Sequence, residues 1–483
     1  MPRDTRLFSL LLLIFVTTAA MGEFKYNVTS YPLPQRATGV ALGDFNRDGL
    51  PDFVVASDAS DRRLIFMRNN GNGIFTSRVL GVVPGAFVEA ADLNKDGKLD
   101  VVTPNGPAPI ATSLKTLLGN GDGTFRRGPD VAVTDYPYVV RPGDYDNDAA
   151  IDLAILECGA TCQLVLLLGN GDATYHIGSV RTVGENAFSM TSNDFNRDGK
   201  LDVAVAVQGP SRVVVYFGDG MGSFSSSTTV VLPNPFEPEF AAESFPSVEQ
   251  ADFNDDGIPD LVGVAGSNCG SACGTSTGSV FLNNGSGAFT LKSTMSAAGT
   301  GGSAITPFDY NNDFKQDIIF WNGGHFDGGF RAYQGRGDGT FASTTSNFTE
   351  CCEAADFAPR DLNLDSRHDL VGANWLGKSV EVGINTNNTF NCPPPASSQI
   401  IARICKPANN GSVPGSFEVR ASGNSPAGVK RLELWVDGTK RYQTWNDQMR
   451  RTISLGAGAH RVTVVAVDQY VGSAKAIINV NVQ

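Results

Sequence analysis

The chain has 483 residues, too many for a single small core and enough for at least two domains. Fifty Asp and Glu against 37 Lys and Arg give a formal charge of −13, which argues against nucleic acid and anionic lipid as partners. Four histidines in unrelated contexts, with no nucleophile motif and no phosphate loop, argue against the common enzyme classes.

At the N-terminus, residues 7–16 (LFSLLLLIFV) form a short apolar run behind Arg3 and Arg6, and small residues follow. The length suits a signal-peptide core rather than a bilayer span, so residues 1–22 read as a signal peptide cleaved after Ala20 or Gly22. No later apolar stretch is long enough to cross a membrane, and the expected location is secreted.

From residue 23 the chain repeats. DFNRDGLPD begins at Asp44, DLNKDGKLD at Asp92, DYDNDAAID at Asp144, DFNRDGKLD at Asp194 and DFNDDGIPD at Asp252; the weaker DYNNDFKQD and DLNLDSRHD begin at Asp309 and Asp361. All seven share D-x-[DN]-x-D-x-x-x-D at near-constant spacing. Glycine-rich turns ending in an aromatic keep the same phase, from NNGNGIF at 69–75 to the degraded NTNNTF at 385–390. Between these landmarks run short apolar, β-branched segments such as DFVVAS and RLIFMRN, so each unit reads as four strands. Units of about 50 residues with four strands predict the blades of a β-propeller over residues 23–392. The seventh unit lacks a fourth strand, and FKYNVTS (24–30) belongs to no other unit. It is therefore expected to complete the last blade and close the ring.

These paired landmarks resemble the FG-GAP or VCBS-type repeats of integrin α-subunit propellers and of many secreted bacterial proteins. The resemblance implies an all-β, seven-bladed propeller with calcium in the acidic loops; it does not by itself identify a ligand.

The loop chemistry points the same way. Calcium takes six to eight oxygens in flexible geometry, and carboxylates or an amide at positions 1, 3, 5 and 9, with a carbonyl at position 7, can supply them. The expected ligands are Asp44, Asn46, Asp48, Leu50 and Asp52; Asp92, Asn94, Asp96, Lys98 and Asp100; and Asp144, Asp146, Asp148, Ala150 and Asp152. They continue as Asp194, Asn196, Asp198, Lys200 and Asp202, then Asp252, Asn254, Asp256, Ile258 and Asp260. The last two sets are Asp309, Asn311, Asp313 and Asp317, and Asp361, Asn363, Asp365 and Asp369. Glycine at position 6 permits the sharp turn in repeats 1, 2, 4 and 5. Ala149, Phe314 and Ser366 replace it elsewhere, so about four to seven Ca²⁺ are expected. No His or Cys occupies a ligand position, which disfavours zinc and copper.

Eight cysteines in a secreted chain argue for disulfides. Cys158–Cys162 and Cys269–Cys273 each bracket a short loop, and Cys392 and Cys405 flank a Pro-rich linker (393–398). Beyond it, residues 399–483 alternate (Leu432, Leu434, Val436; Val462, Val464; Ile478, Val480, Val482) and resemble an Ig-like β-sandwich. The acidic loops and glycine turns should share one face of the ring. Irregular loops on the other face carry Trp321, His325, Phe326 and Trp375, candidate contacts for a glycan or protein ligand. The expectation is a non-catalytic adhesion or recognition module for glycans or proteins; the alternatives are a polysaccharide lyase or a purely structural surface protein.

Overall fold

The computed structural model describes residues 17–21, 24–57, 63–82, 87–104, 113–184, 186–233, 246–265, 276–297, 303–322, 330–342, 347–348, 354–374, 377–387, 392–470 and 472–483. Seven antiparallel sheets follow one another, and each of the first six runs in strict chain order. Blade 1 comprises Ala37–Gly43, Asp52–Ser57, Arg63–Asn69 and Phe75–Val82. Blade 2 comprises Glu89–Ala91, Asp100–Pro104, Ser113–Gly119 and Phe125–Ala132. Blade 3 is Tyr136–Gly143, Asp152–Cys158, Cys162–Gly169 and Tyr175–Gly184; blade 4 is Ala187–Asn193, Asp202–Val207, Arg212–Gly218 and Phe224–Val231. Blade 5 is Ser247–Ala251, Asp260–Ala265, Thr277–Asn283 and Phe289–Ser296. Blade 6 is Ser303–Phe308, Asp317–Asn322, Phe330–Gly335 and Phe341–Ala342, with Asn347–Phe348 also on its third strand.

Blade 7 takes three strands from the end of the ring (Ala354–Arg360, Asp369–Asn374, Ser379–Asn385) and its fourth, Phe24–Pro32, from the beginning. The register runs from Tyr26↔Asn385 to Pro32↔Ser379, so the expected closure is the one observed. Thr17–Met21, which the sequence reading puts in the signal peptide, adds a fifth strand outside Phe24–Val28. The first strand of each blade lies beside that of the next, and Ala37–Gly43 meets Ala354–Arg360 to complete the circle.

The second strands (DFVVAS, DLAILEC, DVAVAV, DLVGVA) are buried along almost their whole length because each is covered on both faces by neighbouring blades. The core is thus a series of layers between blades. Ala154, Leu156 and Leu164 of blade 3 pack on Val203 and Val205 of blade 4, and Val55 and Ile65 of blade 1 on Val371 and Val380 of blade 7. Fourth strands such as FSSSTTVV are largely exposed and rich in Ser and Thr.

Residues 401–482 form two sheets: Ile401–Lys406, Ser416–Asn424 and Gln448–Ser454 face Gly411–Val413, Ser473–Val482, Gly458–Asp468, Val429–Val436 and Thr439–Thr444. Val419 and Ala421 of the first sheet meet Leu432, Leu434, Val462 and Val464 of the second, as the alternation requires. Cys158–Cys162 and Cys392–Cys405 are disulfide-bonded as expected. Cys269, Cys273, Cys351 and Cys352 lie outside the described residues.

The sandwich does not trail from its linker. It docks on the face that carries the acidic loops. Asp44 N–H donates to Pro426 O at 3.0 Å, Gln316 Nε2 to Asn446 Oδ1 at 2.7 Å, and Arg451 Nη1 pairs with Asp255 Oδ2 at 2.7 Å. His368 Nε2 lies 3.1 Å from Asp447 Oδ1, and the Tyr470 hydroxyl donates to Ala90 O in blade 2. Burial alone would pull the His368 imidazole down, but the Asp447 carboxylate outweighs it and pushes the pKa to about 9.

Candidate metal centres

Each acidic loop joins the first strand of a blade to the second, and its backbone is held by its own side chains. In blade 1 the Asp44 carboxylate accepts the N–H groups of Asp48 (3.1 Å) and Gly49 (2.8 Å). Asn46 Oδ1 accepts Asp48 N–H at 2.8 Å, and Asp48 Oδ1 accepts Leu50 N–H at 3.0 Å. The same pattern recurs at Asp92, Asp144, Asp194, Asp252, Asp309 and Asp361. Two residues per loop are left-handed. Position 4 has φ between 57° and 63° (Arg47, Lys95, Asn147, Arg197, Asp255, Asn312, Leu364), and position 6 is left-handed as well.

Glycine at position 6 therefore does not separate the repeats, contrary to the sequence reading. Ala149 (φ 65°), Phe314 (71°) and Ser366 (70°) adopt the conformation of Gly97 (79°) and Gly199 (85°). A side chain there costs about 1–2 kcal/mol, and such strain persists where the surroundings over-determine the backbone. At Gly49 a second demand applies, because a Cβ would come within 2.6 Å of Ser397 N in the linker.

Position 9 opens the second strand and is fully buried in every repeat (Asp52, Asp100, Asp152, Asp202, Asp260, Asp317, Asp369). It ties three segments together. One Asp152 oxygen accepts Tyr145 N–H at 2.7 Å and the other Gly169 N–H at 2.8 Å, from the end of the third strand. Asp52 differs, for its Oδ2 is buried with no hydrogen-bond partner. The glycine turns lie on this face too, each against the preceding blade's loop: Gly123 N–H donates to Phe45 O, Ala173 N–H to Leu93 O and Gly339 N–H to Phe253 O.

This burial, with neighbouring carboxylates, raises the acids. Asp52 and Asp260 are pushed up to about 8, and Asp100, Asp152, Asp202, Asp252, Asp309 and Asp361 to about 7. Asp317 and Asp369 are raised well above the ordinary carboxylate value for the same reason. Asp144, Asp146 and Asp152 each turn one ligand atom into a space where all three lie within 4.8 Å of one another. They do so because repeat 3 has Asp where the others have Asn at position 3. An all-oxygen donor set with crowded carboxylates, and at Asp52 an unsatisfied buried oxygen, fits a hard divalent cation.

The repeats differ at position 5. Asp365 is gripped by Arg367 through Nε at 3.1 Å and through Nη2, so a guanidinium already supplies positive charge there. Lys98, Lys200 and Lys315 reach their own position 5 carboxylates at 3.2–3.9 Å, more loosely. Asp194→Ala should therefore cost at least tenfold more calcium affinity than Asp361→Ala; equal losses in a calcium titration would refute the ranking.

Trp321 is the penultimate residue of the strand Asp317–Asn322, opposite Ala304 and Phe330. Its side chain, and His325, Phe326 and Trp375, lie outside the described residues. Sequence reasoning missed a charged cluster on the innermost strands, where Arg141 Nη1 lies 2.7 Å from Glu89 Oε1 and its Nη2 lies 3.7 Å from Glu249 Oε1. Burial, only partly offset by Arg141, pushes Glu89 to about 7. Charged residues amid otherwise apolar first strands were the available signal.

The family model for the FG-GAP-like repeat matches residues 44–103, 194–263 and 252–320, which contain the acidic loops of repeats 1, 2, 4, 5 and 6. The fold and these matches define a β-propeller that carries FG-GAP-like repeats. No curated protein matches the chain. Among solved structures it is similar to the extracellular domain of the hybrid two-component system BT4673 from B. thetaiotaomicron (9% identity, 97% of this chain and 60% of that one, TM-score 0.45). It is also similar to AofleA from Arthrobotrys oligospora (12%, 67% and 89%, 0.39) and to the endo-beta-1,4-mannanase from Thermotoga petrophila (13%, 18% and 20%, 0.16). The chain thus spans about three fifths of the first protein's length and one fifth of the mannanase's.

Proposed function

We propose that this protein is a secreted, calcium-stabilised propeller that recognises an extracellular glycan or protein without catalysing a reaction on it. The observation that carries the metal assignment is the convergence of Asp144, Asp146 and Asp152 in a loop backbone repeated seven times round the ring. Asp144, Asp146 and Asp152, with their counterparts in the other repeats, would hold the ions, which supply the charge the buried carboxylates lack. The FG-GAP-like repeats and two disulfides support an extracellular setting.

The chain's own sandwich occupies the acidic face, which leaves the opposite face, with its long loops, for a partner. We read that sandwich as Ig-like on the parallel pairing of Gly411–Val413 with Val480–Val482. An array of neutral glycans and proteins probed with the full chain in calcium should give defined binders, and replacing Trp321, Phe326 and Trp375 by Ala should abolish them. Turnover of a bound polysaccharide would overturn the non-catalytic reading.

A further inference from the structure

Between the sandwich and blades 3 and 4 lies a cleft of about 830 Å³. Its roof is the outer face of the larger sheet. Strand alternation sends Leu432, Leu434, Val462 and Val464 into the sandwich core and leaves Glu433, Trp435, Arg461 and Thr463 over the cleft. The floor is made by the acidic loops, through Asp144, Asn147, Asp194 and Arg197.

Seven cationic side chains and four acidic ones line this space, a positive balance in a chain of net charge −13. The acids are committed elsewhere. Glu433 is shared by Arg431 at 2.9 Å and Lys440 at 2.8 Å, and Asp468 closes its own turn on Tyr470 and Gly472 N–H. Asp144 and Asp194 bind the N–H groups of their loops. Arg197, Lys430, Arg461 and Lys475 have no side-chain hydrogen bond or ion pair to a described residue. Lys430 overlies the Trp445 ring, at 6.0 Å, and is attracted at longer range by the Asp194 carboxylate.

We propose that the cleft binds an anionic oligosaccharide, a short run of pyranose rings bearing carboxylate or sulfate groups. The volume suits a ligand of that size. The unpaired cations answer the anionic groups, and the half-buried Trp435 indole, its Nε1 held by Glu433 Oε2 at 3.0 Å, offers a flat apolar surface to the C–H face of a sugar ring. A long polyanion is disfavoured because the rest of the surface repels it. The site is separate from the opposite-face loops of the proposed function, and it stands or falls independently of them.

The test is calorimetric titration of the full chain, in excess calcium, with trigalacturonate and with a heparin-derived tetrasaccharide. Maltotriose and hexathymidylate serve as neutral and nucleic-acid controls. At least one anionic sugar should bind saturably and weaken with added salt. The exposed double variant Arg461→Glu/Lys475→Glu should lower that affinity at least tenfold with unchanged melting, and Trp435→Ala should lower it as well. Binding of neither anionic sugar, equal binding by the double variant, or equally tight binding of maltotriose or hexathymidylate would overturn the proposal. The array binders assigned to the opposite face should persist in the double variant, which separates the two sites.

Discussion

Stripping calcium from the full chain should lower its melting midpoint by about 15 °C. A site occupied at a hundredfold excess over its Kd contributes about 2.7 kcal/mol, so four sites contribute about 11 kcal/mol. An unfolding entropy of about 2.1 cal/mol/K per residue over a propeller of this size converts each kcal/mol into about 1.3 °C. The metal-free protein should also show a diagnostic pH dependence. Burial raises Asp52 and Asp260 to about 8 and Asp100, Asp152 and Asp202 to about 7, above the ordinary 3.8. The folded state thus holds these protons more tightly than the unfolded chain. Their contribution is fully present below pH 4 and is lost as pH rises through 7 to 8. Metal-free protein should weaken from pH 5 to pH 9, whereas bound calcium should suppress that loss. A metal-free midpoint that climbs over this range, or no effect of removing metal that was shown to be bound, would rule the calcium assignment out.

Deleting residues 24–32 should leave the protein aggregated or melting far earlier. The strand supplies more than an edge partner. Tyr26 and Tyr31 are buried, the Tyr26 hydroxyl donates to His368 O at 3.1 Å, and the Tyr31 hydroxyl accepts Phe75 N–H of blade 1 at 3.1 Å. Losing one buried aromatic side chain of this kind costs about 3–5 kcal/mol, and the deletion removes two together with a ladder of backbone bonds. It also exposes Ser379–Asn385 as an open edge that invites other chains. Removal of residues 396–483, with Cys392→Ser, should cost the docking contacts yet leave a monomeric, calcium-binding propeller. Light scattering and melting curves compare the two. A monomeric N-terminal deletion with unchanged melting would mean that the ring is held by something other than this strand.

What the sequence made legible was whatever repeats. The aspartate at position 9 and the aromatic after the glycine turn mark strand starts so regularly that Asp52, Asp100 and Asp152 open second strands, and Phe75, Phe125 and Tyr175 open fourth ones. The unpaired FKYNVTS then had one place to go. Three things stayed hidden because they depend on single contacts rather than on phase. Docking of the sandwich rests on Asn446, Arg451 and Tyr470, which share no pattern. The left-handed turn at Phe314 and Ser366 is imposed by Asp309 and Asp361 accepting their N–H groups, which overrides residue preference. The grip of Arg367 on Asp365 is local chemistry that the D-x-[DN]-x-D frame does not encode.

The closure of blade 7 also sets an order in time. Tyr26 meets Asn385 across 359 intervening steps of chain, and at about 5–20 residues per second synthesis of that stretch takes roughly 20–70 s. Through that interval Phe24–Pro32 lacks its blade 7 partner, while blades 1 to 6, each built from consecutive strands, can form as they emerge. A strand with an apolar, tyrosine-bearing edge that awaits its blade is a hazard in a crowded compartment. Ring closure is therefore the step at which a holding chaperone would matter most, and a pause in synthesis before residue 379 would prolong the exposure more than a pause anywhere after residue 385.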